Sequence, residues 1–134
     1  MIGNPDQEML QAVLETIPVE FSVVDKDDNV VAWNRHDTRI FKRANGVLGK
    51  NVRNCHPKRS LEKVEAILTE MKSGSRDRAG FWIDLKIEGH EAPQKILIQY
   101  FALRSPEGAY LGCLECSQNV SPIQALKGQK RLLD

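Results

Sequence analysis

The period of the hydrophobic residues changes from helical to strand-like in the second half of this chain, and the change limits the folds that it can adopt. Between Ser60 and Ser73 apolar residues recur every three or four positions, as in an amphipathic helix, and Gly74 is a stop signal. From Phe81 onward the period is two, as in a half-buried strand. Three extended segments then follow, at 81–87, 95–104 and 110–118. The sequence therefore predicts one long helix followed by three consecutive antiparallel strands.

The first third of the chain adds a helix and two more strands. An apolar stripe ends at Ile17, because the residue before Pro18 avoids helical backbone. Two short apolar runs, at 19–23 and 30–33, flank the polar tip at 25–29. This pattern predicts an N-terminal amphipathic helix that leads into a β-hairpin.

Two further helices are expected from capping signals. Asn34 is placed to cap a short helix with Ile40 and Phe41 on one side. Near the end of the chain, Ser121 is followed by a proline and, three residues on, by Gln124, which is a capping-box pattern. We expect this last helix to run toward residue 134.

Five antiparallel strands with helices inserted between the second and third form an α+β arrangement. One sheet face must be buried under those helices, so a core or a pocket lies between the two layers. We expect an N-terminal helix at 1–17, a sheet-and-helix core at 18–120 and an exit helix at 121–134.

Composition and charge exclude several classes of function. The 134 residues suit one domain, and 19 basic against 18 acidic residues leave no field that would attract nucleic acid. No apolar run is long enough to span a membrane, and no signal peptide is evident, so we expect a cytoplasmic protein. Three cysteines, Cys55, Cys113 and Cys116, are predicted to be free thiols.

Four local motifs make the chain resemble a PAS domain over about residues 17–120. The first strand ends at Asp25, and after a turn the second ends at Asn34. A glycine-containing loop at 48–52 precedes His56-Pro57, at the entry to the long helix. The last strand carries a turn and glycine at 108–112, and Asn119 stands at its end, where many members have aspartate.

The resemblance implies a PAS fold and a sensor without catalytic activity. Such a module binds a cofactor or small molecule, with haem ahead of flavin or a metabolite, and signals to a partner or output domain. Cys55-His56-Pro57 and Phe81-Trp82 resemble PAS modules attached to hemerythrin-like domains of bacteria and archaea. The alternative is a ligand-free PAS module for dimerisation or protein interaction.

The candidate binding residues follow from this resemblance and from the strand pattern. His56, at the entrance of the long helix, is a candidate haem-iron ligand, although a His-Pro pair can also simply shape the helix start. Gln99 is either an amide inside an apolar interior or an exposed residue. The candidate pocket walls, each equally consistent with plain core packing, are Phe21, Trp33, Ile40, Phe41, Ile67 and Phe101.

Zinc binding and catalysis are not expected. Cys113 and Cys116 lie three residues apart on a predicted strand, so their side chains point to opposite faces and cannot share a metal. The acidic residues fall mainly on turns or outward faces, and no nucleophile or phosphate-binding motif is present. Trp82, on the polar face of its strand, instead indicates an interface with the N-terminal helix or with a second subunit. The apolar stripe of the N-terminal helix predicts packing across a homodimer.

Overall fold

The computed structural model describes residues 1–133, without the side chain of His36. Its α-helices are α1 (Gln7–Thr16), α2 (Lys58–Ser73) and α3 (Ser121–Gln124). Its strands are β1 (Glu20–Asp25), β2 (Val30–Trp33), β3 (Arg78–Leu85), β4 (Gln94–Arg104) and β5 (Tyr110–Asn119). Three short 3₁₀ helices, His36–Thr38, Asn45–Val47 and Val52–Cys55, lie between β2 and α2.

The strands form one five-stranded antiparallel sheet in the order β2-β1-β5-β4-β3. The predicted α+β fold, with five antiparallel strands and helices, is therefore confirmed. The chain crosses from the β2 edge to the β3 edge through the 3₁₀ helices and α2, and the three-strand meander then returns to the centre of the sheet. As a result β1 and β5, which are far apart in sequence, are neighbours.

Helix α2 covers one face of the sheet, which we call the inner face. Its side chains Val64, Leu68 and Met71 are buried and join the core formed by Ile96 and Ile98 of β4. Burial of such side chains is the dominant stabilising contribution to folding. Gly74 ends the helix in the left-handed conformation, and its N–H donates to the carbonyl oxygens of the last turn, as the sequence predicted.

Asn34 does not cap a helix, in contrast to the prediction. It is 1% exposed, and its Oδ1 accepts from Phe21 N–H at 2.7 Å. Its Nδ2 donates to Leu14 O and Val19 O, at 2.8 and 3.0 Å. An amide can donate and accept at once, so this one side chain joins the end of β2 to α1 and to the start of β1.

Helix α3 is shorter than the sequence predicted. It ends at Gln124, so a continuous helix over 125–133 is wrong, and residue 134 lies outside the described part of the chain. Ile123 and Leu126 are exposed, so no apolar face packs to extend the first turn. Across residues 1–133, no helix combines the length and the apolar character that crossing a membrane requires.

Candidate ligand-binding site

Four of the predicted pocket walls lie against the core below the inner face. Trp33 is directly opposite Ser22 across the β1–β2 pair, so its side chain shares the inner face. Ile40 and Phe41 come from the segment after β2, and Ile67 comes from α2. All four are partly buried and pack against the core cluster. The structure therefore brings them together around the inner face.

The other two predicted walls, Phe21 and Phe101, lie on the outer face instead, together with Gln99. The core residues Ile98 and Tyr100 point inward, so the alternation of β4 sends Gln99 and Phe101 to the other side. Phe21 is in the same cross-strand row as Gln99, through Cys116 of β5. For Gln99, whose orientation the sequence left open, the structure shows the face away from the core. Phe101 was assigned to the inner face because β4 has apolar residues on both faces, and its periodicity alone did not indicate which face was inward.

His56 has both ring nitrogens engaged. Nδ1 is 3.0 Å from Val52 O, and Nε2 is 3.4 Å from the Tyr100 hydroxyl. Because a carbonyl oxygen only accepts, Nδ1 carries a proton, and Nε2 faces the Tyr100 hydroxyl. An iron at Nε2 would have to displace that hydroxyl, and neither main cleft described below is lined by His56. This arrangement does not fit a haem ligand, and His56 instead positions Tyr100 beside the entry to α2.

A cluster of charged side chains, which sequence reasoning missed, occupies the inner face over β1 and β5. Arg39 is almost fully buried, and its Nη2 lies 3.9 Å from the Glu20 carboxylate. Glu20 also accepts from the backbone N–H groups of Ile40 and Phe41, at 2.5 and 3.0 Å. Desolvation lowers the pKa of Arg39, although the neighbouring Glu20 opposes this effect. The guanidinium and the carboxylate together fix the segment after β2 to the sheet.

The same cluster continues to β5. Arg43 Nε donates to Ser22 Oγ at 2.9 Å, and its Nη2 lies 3.6 Å from Glu115 Oε2. Glu115 is directly opposite both Ser22 and Tyr100 in the sheet, so all three side chains lie on the inner face. Burial, with Glu115 adding to it, raises the pKa of the Tyr100 hydroxyl above its usual range. We call Glu20, Ser22, Arg39, Arg43 and Glu115 the inner polar cluster.

One atom of the inner polar cluster has no hydrogen-bond partner among the described residues. Glu115 Oε2 is buried and is not hydrogen-bonded, because Arg43 is too far away for more than an ion pair. Buried polar atoms are nearly always satisfied, and an exception is a sign of strain or of a binding role. Glu115 therefore presents a free acceptor on the inner face.

A cleft of about 400 Å³ opens beside this cluster. Glu20 and Ser117 line it from the sheet, and Ile123 lines it from α3. Arg35, with backbone in the left-handed region, forms part of the opposite wall. The cleft therefore connects the inner polar cluster with the helix that leaves the domain. A second cleft, of about 240 Å³, is lined by Trp82 and Leu97 and lies over the outer face.

A second buried charge holds the β1–β2 turn against α2. Asp28 Oδ2 accepts from Lys72 Nζ at 2.7 Å and from Arg53 Nη1 at 2.9 Å. Hydrogen bonds to Glu65 and Asp28 raise the pKa of Arg53. These contacts tie three segments together and position the loop that precedes α2.

The cysteines do not form a metal site. Cys113 and Cys116 both lie on β5, with Cys113 in the core and Cys116 in the outer-face row, and all three cysteines are free. Within residues 1–133, side chains of the described His, Cys, Asp and Glu residues do not group in threes that could hold a metal ion. The strand geometry that argued against zinc is confirmed.

Comparison with solved structures supports this fold. The C-terminal domain of a Streptococcus mutans protein is 28% identical, with 95% of this chain and 94% of that chain covered at a TM-score of 0.81. A sensory box sensor histidine kinase from Vibrio cholerae is 15% identical, with 85% and 90% covered at 0.56. The PAS domain of Bordetella pertussis BvgS is 18% identical, with 85% of each chain covered at 0.62. A search of curated proteins finds no match.

The family comparison agrees with the structural one. The sequence profile of the PAS domain matches residues 10–121, which include every strand and α2. The strand order, the helix over the inner face and this match lead to one conclusion. The chain belongs to the PAS domain family.

Proposed function

We propose that this PAS domain binds a small molecule on the inner face of its sheet and reports its occupancy to a partner. The observation that carries the proposal is the free, buried Oε2 of Glu115. An acceptor without a donor in a desolvated place costs free energy, which a ligand N–H or O–H group would recover. The ligand we infer therefore carries a hydrogen-bond donor.

The charges around Glu115 support a binding role over a purely structural one. Arg39 and Glu20 are buried at this face, and a second ion pair, Arg43 and Glu115, is partly buried beside them. Buried ion pairs contribute little net stability compared with apolar packing. Arg39 is fully engaged by neighbouring acceptors, whereas the Arg43–Glu115 pair is loose at 3.6 Å. A ligand that inserts there would replace a weak contact with stronger ones.

Strand β5 supplies the route that we propose for the signal. It carries Glu115 and Ser117 on the inner face, then Asn119, whose Oδ1 accepts from Ser121 N–H at 3.0 Å. Ser121 Oγ in turn accepts from Lys95 N–H at 2.8 Å, which links α3 to β4. Asn119 therefore links the end of β5 to the first residue of α3 without a charge. A ligand that favours one arrangement of β5 shifts the equilibrium by its differential affinity for the two states.

The partners are a second copy of the chain and an output domain. The exposed apolar side chains of α1, namely Met9, Val13 and Leu14, would pack across a homodimer. The resemblance at Cys55-His56-Pro57 suggests a hemerythrin-like output domain in a cytoplasmic sensor. Reconstitution with hemin tests the haem alternative, and a Soret band that His56→Ala abolishes would restore that reading.

The competing function is a ligand-free interaction module. The packing of Trp33, Phe41 and Ile67 against the core favours it, because the interior is then filled by its own side chains. The exposed apolar face of α1 fits this function equally well. The two functions differ in whether Glu115 contacts a ligand.

Native mass spectrometry of the purified protein separates these functions. We expect a bound species that Glu115→Gln reduces by about tenfold or more, since a hydrogen bond to a charged group is worth about 1.5–3 kcal/mol. Glu62→Gln, on the exposed side of α2, is the matched control and should leave occupancy unchanged. The interaction module would be supported instead if the wild type shows only the mass of the protein without a ligand and Glu115→Gln is as stable as the wild type or more stable.

A further inference from the structure

The edge of the sheet at β3 is an open strand with apolar side chains on both faces. Phe81 and Ile83 are 40% and 36% exposed on the inner face, and Trp82 is 68% exposed on the outer face. β3 contains neither a proline nor a bulge, and it pairs without interruption over eight residues with β4. Natural proteins rarely leave such an edge uncovered, because it can pair with another strand.

We propose that β3 pairs antiparallel with β3 of a second copy of this chain, which joins the two sheets into one. This contact does not depend on ligand binding by the inner polar cluster. It is also separate from α1, which Asn34 anchors near β1 and β2, whereas β3 is at the opposite edge of the sheet.

The backbone of β3 is oriented for this pairing. Ala102 N–H donates to Asp77 O at 2.8 Å, one residue before β3 begins. Because hydrogen-bonded pairs alternate along an antiparallel ladder, the odd-numbered residues of β3 face β4. The N–H and C=O groups of Arg78, Gly80, Trp82 and Asp84 therefore point toward the open edge.

The side chains favour one register over the adjacent one. A two-fold axis through Phe81 places Arg78 opposite the partner's Asp84, at both ends of the paired segment. Shifting the axis to Trp82 would place Arg78 opposite the partner's Lys86, and like charges directly opposite each other are destabilising. Charge complementarity therefore favours the axis at Phe81, with about eight backbone hydrogen bonds between the copies.

The same register suits the aromatic residues. On the outer face, Trp82 would lie over the partner's Gly80, where an aromatic ring covers a strand position that has no side chain. A side chain added to Gly80 would contact Gln99 at 3.7 Å, because the two residues are directly opposite on the outer face. On the inner face, Phe81 stacks on Tyr100 at 6.1 Å, and the partner's Phe81 would extend that stack.

Disulfide trapping tests the register directly. In a non-hydrogen-bonded antiparallel pair the two Cα atoms are about 4.5 Å apart, which a disulfide can bridge. Phe81→Cys should therefore form a covalent dimer under mild oxidation, with the linkage at position 81 identified by peptide mass spectrometry. Trp82→Cys is the matched control, because the two copies of residue 82 would be diagonal neighbours at about 7–8 Å. The wild type controls for the three native cysteines.

Sedimentation velocity over a concentration series supplies the second measurement. Trp82→Lys should weaken dimerisation by about tenfold or more, because it removes two symmetric cross-strand contacts and places lysine on the edge. Val13→Asp, in α1, should leave the cross-link at position 81 unchanged. A cross-link that forms at residue 82 but not 81, or a wild type that remains monomeric throughout, overturns the proposal. Circular dichroism confirms that each variant is folded.

Discussion

Replacing Arg39 by alanine would remove the most highly connected buried side chain of the domain. Its Nη1 donates to Phe21 O and to Asn34 O, both at 2.9 Å. Its Nε donates to Phe41 O at 3.0 Å, and its Nη2 donates to Ser22 Oγ at 3.0 Å. The guanidinium therefore links β1, the end of β2 and the segment that covers the inner face.

The expected loss of stability follows from the groups that would remain. Three carbonyl oxygens would lose a donor, and the buried Glu20 would keep its charge with only two backbone amides. Breaking a buried charge pair from one side costs about 3–5 kcal/mol, and each unpartnered buried group adds to the cost. For a domain of this size, that loss lowers Tm by about 10–20 °C.

Urea unfolding followed by tryptophan fluorescence measures this loss, since Trp33 lies against the core. Arg59→Ala, at an exposed position near the start of α2, is the control and should change the free energy of unfolding by less than about 0.5 kcal/mol. Adding Glu20→Gln to Arg39→Ala should recover part of the loss, because the uncompensated charge is removed. A loss below about 1 kcal/mol for Arg39→Ala would refute the reasoning.

Two further predictions concern β5. Gly112→Ala would drive a methyl group into Val24 O of the neighbouring strand. Because the backbone there cannot yield, we expect the free energy of unfolding to fall by more than about 3 kcal/mol. Gly46→Ala, in open space, is the control, and equal stabilities of the two variants in urea would contradict the pairing register of β1 and β5. Burial raises the pKa of Cys113 to about 12, and that of Tyr110 to about 12. The pKa of an unfolded thiol is about 8.5, so between this value and the higher pKa of folded Cys113 only the unfolded chain loses this proton. The free energy of unfolding therefore falls as pH rises, by about 1.4 kcal/mol per pH unit for Cys113. Cys113→Ala should flatten this alkaline slope in urea unfolding. An unchanged slope in Cys113→Ala would show that the folded structure does not protect the thiol.

The helix α2 and the strands β3 to β5 could be predicted from sequence because each has a single strong signal. α2 has one apolar stripe and a glycine stop, and β3 to β5 are separated by clear turns. The faces of β4 could not be assigned, because Leu97 and Phe101 are as apolar as Ile98 and Tyr100. Only packing against α2 determines which set is buried.

The inner polar cluster could not be predicted for a different reason. Arg39 and Arg43, four residues apart, look like the solvated side of a short helix. Their partners Glu20, Ser22 and Glu115 are distributed over almost the whole chain, and only the pairing of β1 with β5 brings them together. A sequence pattern reports local periodicity, whereas this cluster is created by strand order.

If the proposed ligand binds this cluster, the position of the cluster would let one binding event act on both ends of the domain. β1 and β5 are adjacent strands in the interior of the sheet, and each leads to a flanking helix. β1 is tied to α1 through Asn34, and β5 is tied to α3 through the hydrogen bond that Ser121 N–H donates to Asn119 Oδ1. A ligand that separates Arg43 from Glu115 would change the contact that joins the segment after β2 to β5. Since packed elements shift between discrete arrangements rather than deform continuously, such a change would be transmitted to both helices.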